Sequence, residues 1–194
     1  MTTFAILNRV SLPFQSRLSG LIRRLFLGLV FGFFCASFAT SASAQIEKLA
    51  IPAIAIKDIE GNTVNIQDYI NKGAPTIISF WATWCKPCIS ELTAINEEYQ
   101  DWQEETGVKL LAISTDDARS RTRIPTIVKG KNWNFEVFND ENGELKRALG
   151  VQNMPHTFIL DKNGKVVWQH ASYNPGDEAE YYEVLKKLVA ESAE

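Results

Sequence analysis

The chain has 194 residues, 45% hydrophobic and 22% charged, with a formal net charge of −3. That composition is ordinary for a folded protein and excludes a disordered chain or a coiled coil, and the length suits one domain plus an appendage. The appendage lies at the front, where residues 1–44 carry four arginines (Arg9, Arg17, Arg23, Arg24) and no acid.

Within that segment "LFLGLVFGFFCASF", uncharged from Leu25 to Phe38, leads to an A-x-A site at Ala42-Ser43-Ala44. A basic start, an apolar middle and small residues at the end describe a secretory signal, with cleavage before Gln45. The apolar run falls short of the ~20 residues a spanning helix needs. No charge appears until Glu47, however, so an uncleaved anchor over residues 25–44 stays open. Cys35 follows Phe33-Phe34, where a lipoprotein signal would want small residues, and it would be discarded with the segment. Removal of residues 1–44 moves the net charge to −7 and leaves Cys85 and Cys88 as the only cysteines. An acidic domain argues against nucleic acid or an anionic membrane surface as the main partner.

From residue 45 onward the segments read in order as follows. "GNTVNIQDYI" places a Gly61-Asn62 turn between short β segments, an N-terminal hairpin. "TIISFWA" (76–82) is a continuous β-branched and aromatic run of the buried-strand type. From Pro87 to about Thr106 the apolar positions Cys88, Leu92, Ile95, Tyr99 and Trp102 follow helical spacing, and Gly107 ends the helix. "VKLLAIST" (108–115) is a second buried strand. A helix of uncertain start follows, begun or interrupted at Pro125. "FEVFND" (135–140) is a short strand and "GELKRALGV" a short helix stopped by Gly150. Two strands flank "DKNGK", where Asn-Gly accepts the positive φ angles of a tight turn. A last helix runs from about Asp177, with Tyr181, Val184, Leu185 and Leu188 on one face. The order β–α–β–α–β–α–β–β–α makes residues 45–194 one α/β domain with a parallel part and a terminal hairpin.

The pair in "FWATWCKPCISE" (80–91) could hold metal, staple the chain or carry redox chemistry. A structural zinc site wants four ligands, and His156 and His170 do not supply a second pair at metal spacing. A staple closing so small a loop returns little entropy, and a domain of this size has little use for it. The redox reading asks for a cysteine pair after a buried strand and at the head of a helix, and the pattern meets it. Cys85 would sit at the helix N-terminus, where unpaired N–H groups and the dipole favour thiolate. Pro87 suits the first turn. Cys88, one turn on, faces the apolar stripe, so Cys85 is expected as the exposed attacker and Cys88 as the shielded resolver. Lys86 adds a cation between them, or is a solvated surface lysine. Glu91, three positions after Cys88, falls beside the stripe, where a partly buried carboxyl can exchange a proton with a thiol. The bland alternative is an acid favoured near the helix start by the dipole. Met154-Pro155 marks a fixed loop before a strand, and spacing alone predicts a trans bond, since only ~5–6% of X–Pro bonds are cis.

Together these residues resemble the thioredoxin superfamily, and more narrowly the secreted thiol-disulfide oxidoreductases of the TlpA/ResA group. "FWATWCKPC" is similar to that group's redox motif and "GVQNMPHTFILDKNGKVV" to its cis-proline segment and following hairpin. The resemblance implies a thioredoxin fold, a central mixed sheet flanked by helices, with an extra N-terminal hairpin and a helical insert around residues 116–140. It implies Cys85 as nucleophile, Cys88 as resolving cysteine and Glu91 as the functional acid. Pro155 would be cis and face the pair. Met154 would offer backbone groups to an extended substrate, with Trp84, Lys86 and Pro87 completing the substrate-binding surface. Two departures stand out. Ser79 occupies the strand position of the buried aspartate in cytosolic thioredoxins, and Thr93 stands where the group usually has proline, with a modest effect expected on the helix.

The expected function is a periplasmic or otherwise extracytoplasmic dithiol–disulfide oxidoreductase, soluble after cleavage or anchored by residues 25–44. Disulfide reduction in secreted or envelope proteins is the expected direction, without cofactor or metal. The group suggests apocytochrome c thiols among the substrates and a membrane thiol protein as electron donor. A disulfide-forming oxidant, a thiol peroxidase on the same fold and a non-catalytic thiol-binding chaperone or adaptor remain open, though a peroxidase would ordinarily want a further cysteine. Tyr173-Asn174-Pro175-Gly176 is a turn without assigned chemistry, and His156 reads as an exposed bystander near the proline.

Overall fold

The computed structural model describes residues 49–70 and 72–192. The expected signal segment and Cys35 lie outside the described residues. Seven strands form one sheet: β1 (Ala55–Asp58), β2 (Thr63–Asn65), β3 (Thr76–Trp81), β4 (Lys109–Ser114), β5 (Glu136–Asn139), β6 (His156–Leu160) and β7 (Val166–Ala171). Their order is β2-β1-β5-β4-β3-β6-β7. β3, β4 and β5 run parallel, and the flanking pairs are antiparallel. The helices are α1 (Lys86–Thr106), α2 (Ile124–Lys131), α3 (Glu144–Ala148) and α4 (Glu178–Ser192). No helix among the described residues is long and apolar enough to cross a membrane.

β3 is buried along its whole length, which is why its sequence is a near-continuous apolar run. Successive side chains of a strand point to opposite faces. Ile77 and Trp81 therefore join α1, α4 and Ile159 in one core. Ile78 and Phe80 join Phe158, Leu160, Ile56, Ile66 and Leu145 in the other. Each of the large aliphatic residues stabilises the fold by about 1.5–3 kcal/mol on full burial.

α1 carries the stripe its spacing predicts, with Cys88, Leu92, Ile95, Tyr99 and Trp102 all buried. Thr93 leaves the helix unbroken: its hydroxyl donates to the carbonyl of Ile89 at 2.6 Å. Gly107 ends the helix with φ 66°, its N–H donating to Gln103 O at 2.9 Å. A side chain there would be strained by the left-handed backbone and would meet the Ala74 Cβ at 3.3 Å.

The uncertain helix resolves into a 3-10 turn, Arg121–Arg123, running into α2, with Pro125 inside its first turn. The β6–β7 connection differs from the two-residue turn expected of Asn-Gly. Only Gly164 has positive φ, 76°, and its N–H donates to Asp161 O at 2.9 Å. Asp161 Oδ1 also accepts from Asn163 N at 2.8 Å and Lys165 N at 3.0 Å. The aspartate side chain thus stabilises a three-residue loop closed by the glycine.

Candidate active site

The parallel strands β3 and β4 end on the same side of the sheet, and β6 begins there, since Phe80 pairs with His156. Three loops meet at that edge: residues 82–85 after β3, Thr115 and Asp116 after β4, and Met154-Pro155 before β6.

Cys85 is the N-cap of α1, with extended backbone (φ −88°, ψ 96°), and Pro87 stands in the first turn. The two cysteines are joined as a disulfide, with Cα atoms 5.4 Å apart. The Cys88 N–H points at Cys85 Sγ, 3.4 Å away, so the helix start directs a donor at the sulfur that would carry negative charge. Cys88 is fully buried, as expected. Cys85 is not the exposed group the pattern suggested: it is 6% accessible. Its sulfur is bonded to Cys88, and the residue belongs to the core that contains Trp81 and Ile124. Around this small opening Trp84 is 65% exposed, and Lys86 and Pro87 are exposed as well.

Glu91 is the most unusual group here. It is 0% exposed. Ser79 and Thr157 are direct partners in the β3–β6 register and both lie on the α1 face of the sheet. The Ser79 hydroxyl donates to Glu91 Oε2 at 2.9 Å and the Thr157 hydroxyl to Oε1 at 2.8 Å. Tyr181, from α4, donates to the same Oε1 at 2.8 Å. Burial raises the Glu91 pKa above its usual value, and the three hydroxyls pull it back only in part. The tyrosine is in turn driven far upward, first by burial and then by the neighbouring carboxylate, so it stays a donor. α1 has no acid in its first turn. Glu91 instead lies in the second turn, turned into the core.

Sequence reasoning named Ser79 only as the absence of an aspartate, and placed Tyr181 on a core face without a role. Thr157 it missed. The signal available was alternation: Ser79 between Ile77 and Trp81, and Thr157 two before Ile159, are polar residues on otherwise apolar strand faces.

Pro155 is buried and its bond to Met154 is cis, as the resemblance implied and the spacing did not. Its carbonyl accepts from Ser172 N at 2.9 Å. The Met154 sulfur accepts from Thr115 Oγ1 at 3.2 Å, which ties the proline loop to the end of β4. His156 stacks on Phe158, ring centroids 4.5 Å apart, and faces Gln169 Oε1 at 3.1 Å. Burial lowers its pKa.

A second polar network was also missed. Asp116, 1% exposed, accepts from Thr83 N at 2.8 Å, Thr83 Oγ1 at 2.7 Å and Ser114 Oγ at 2.7 Å. Thr83 is two residues before Cys85, so this carboxylate holds the loop that delivers the cysteine. Asp116→Ala leaves these donors without their acceptor and is expected to cost about 1–3 kcal/mol. Urea unfolding checks it; an unchanged midpoint at equal slope would mean the loop is held by something else.

The family model described as AhpC/TSA matches residues 48–169. The thiol-disulfide oxidoreductase ResA of Bacillus cereus (strain ATCC 10987 / NRS 248) is 32% identical over 151 residues, covering 78% of this chain and 83% of that one. Among solved structures, an uncharacterized thioredoxin-like protein from Porphyromonas gingivalis is 47% identical, with TM-score 0.66 and coverage of 73% of this chain and 92% of that one. StoA from Bacillus subtilis is 26% identical with TM-score 0.54, covering 68% of this chain and 99% of that one. The match takes in the strand before the cysteines, the disulfide-bonded pair, the proline loop and the hairpin after it: the chain belongs to the AhpC/TSA family, as a thioredoxin-like dithiol–disulfide oxidoreductase of the ResA type.

Proposed function

We propose that the protein reduces disulfides in extracytoplasmic proteins, with Glu91 as the proton carrier for Cys88. The single observation that supports this most is a carboxyl with no solvent exposure, one helical turn beyond Cys88, with its pKa raised by burial. A raised carboxyl lies nearer to a thiol than a free one does, and proton transfer becomes more efficient as the two groups are better matched.

In the reduced protein the Cys85 thiolate, favoured by the helix N-terminus, attacks one sulfur of a substrate disulfide. The other substrate sulfur leaves as thiolate and takes a proton. Cys88 gives its proton to the Glu91 carboxylate and attacks Cys85 Sγ. The second substrate sulfur leaves as thiolate and takes its proton from solvent, and Cys85–Cys88 becomes the disulfide described here. When a donor dithiol recharges the pair, the steps reverse and Glu91 returns its proton to Cys88. Trp84, Lys86 and Pro87 form the exposed rim against which a substrate chain would lie, and Met154 and Pro155 the adjoining loop.

The N-terminal pattern of residues 1–44 supports an extracytoplasmic location. In an oxidising compartment the dithiol needs a membrane thiol protein to renew it, with secreted-protein disulfides, apocytochrome c among them, as the substrates it serves.

Equilibration of the Cys85–Cys88 pair against dithiothreitol and glutathione buffers tests the direction. A potential well below the glutathione couple is expected. A value near the oxidising extreme of this superfamily, about −120 mV, would make the protein an oxidant instead.

A further inference from the structure

The segment from Arg119 to Lys131 carries five cations and no acid. The rest of the chain from residue 45 onward has eleven cations against 23 acids. One short stretch therefore opposes the charge of the whole domain, and Arg119, Arg121, Arg123, Lys129 and Lys131 are all exposed. Arg121 lies 3.8 Å from Glu141, too loose and too exposed to neutralise the stretch.

Both ends of this stretch are tied to the strand and loop that lead to the redox pair. At its start, Asp116 binds the backbone and hydroxyl of Thr83, next to Trp84 and Cys85. At its end, Trp133 packs edge-on against Trp81, ring centroids 5.0 Å apart, and Trp81 is the last residue of β3. Between them Ile124 is buried in the same core as Cys85 and Cys88, with Ile127 and Val128 packed against it. Asn96 of α1 clasps the following turn, accepting from Asn134 N at 2.8 Å and donating to Asn132 O at 3.3 Å. The cations are thus carried on a segment whose apolar side packs into the core that holds Cys85 and Cys88, and Trp84, next to Cys85, is an aromatic ring 65% exposed. An exposed aromatic anchor with a charged rim is the usual make-up of a protein-recognition surface.

We propose that the Arg119–Lys131 flank is a docking surface for a thiol or disulfide protein whose reacting cysteine is bordered by acidic residues. This rests on the oxidoreductase reading, since the occupant must bring sulfur to Cys85. The acidic remainder of the domain repels an anionic bilayer, which favours a protein segment small enough to meet the flank alone.

Stopped-flow reaction of the dithiothreitol-reduced chain with three disulfide peptides, identical but for acidic, neutral or basic flanks, tests it. In each reaction the peptide S–S bond breaks and the Cys85–Cys88 bond forms, with two electrons passing to the peptide sulfurs, which leave as thiolates and take protons from solvent. The acidic peptide should react roughly tenfold or more faster than the basic one at low salt. The difference should shrink to about twofold at 0.5 M salt, where charges are screened within a few ångströms. Replacing the cations in an Arg119→Gln, Arg123→Gln, Lys129→Gln variant should give about the same twofold ratio already at low salt. Equal rates for all three peptides, or a preference that survives the triple variant, would overturn the docking surface alone. So would loss, in that variant, of binding to phosphatidylglycerol vesicles while the peptides react alike, which would assign the flank to a membrane. Failure to reduce even the neutral peptide would overturn the oxidoreductase reading and this proposal with it.

Discussion

Cys88→Ser is expected to turn the protein into a trap. With the resolving thiol gone, the Cys85 thiolate still attacks, but the mixed disulfide has no internal route to collapse. Incubated with a disulfide substrate, this variant should accumulate a covalent adduct through Cys85, visible on a non-reducing gel and released by dithiothreitol. Cys85→Ser should form none, because Cys88 has no solvent exposure and Cys85 has the small opening that remains. Turnover in an insulin-reduction assay should fall to the uncatalysed background in both. An adduct on Cys85→Ser and none on Cys88→Ser would reverse the two roles.

The second large effect belongs to Glu91. Glu91→Gln keeps the shape and can still accept from Thr157 and Tyr181, but it cannot carry a proton. Loss of a positioned acid–base group typically costs 10²–10⁴-fold, so the step in which Cys88 resolves the mixed disulfide should slow by at least about a hundredfold. Its dependence on Glu91 ionisation should vanish from the pH profile, whereas formation of the mixed disulfide by Cys85 should change little. A variant that resolves at the wild-type rate across pH would remove Glu91 from the mechanism.

Stability provides an independent reading of the same group. The folded pKa of Glu91 is raised above its usual 4.5. Below that pH both folded and unfolded chains hold the proton. Above it the unfolded chain ionises first while the folded chain stays protonated, so the unfolded state binds fewer protons and stability falls as pH rises, until the folded group ionises too. The glutamine variant lacks this loss. Its melting temperature relative to the wild type should therefore climb from pH 4.5 upward in the oxidised protein. A wild type that gains on the variant as pH rises would mean that the three hydroxyls favour the carboxylate more than burial disfavours it.

Much of the molecule was legible one segment at a time. The β-branched run 76–82 became β3, the 3.6-residue stripe became α1, and Gly107 stopped it where a left-handed residue was needed. The cysteine pair at the strand–helix junction identified the chemistry, and the i, i+3 spacing placed Glu91 on the buried side of α1 with Cys88. These are short-range consequences of backbone period and helix-end electrostatics, which a few neighbouring residues determine.

Only the tertiary structure decided how that carboxyl is held. Its partners Thr157 and Tyr181 lie 66 and 90 residues away. They reach it because the β3–β6 register sets Thr157 opposite Ser79 and because α4 docks over α1. Asp116 meets Thr83 across the parallel ends of β3 and β4 for the same reason. The small exposure of Cys85 and the three-residue loop at Gly164 were likewise misjudged from local spacing, the first for want of the core around it, the second because Asp161 folds back on the turn. Hydrophobic period fixes which face of an element is buried. Which polar groups then share that burial depends on register and docking between distant segments, and each buried polar group must find its partner there or cost the fold the energy of its desolvation.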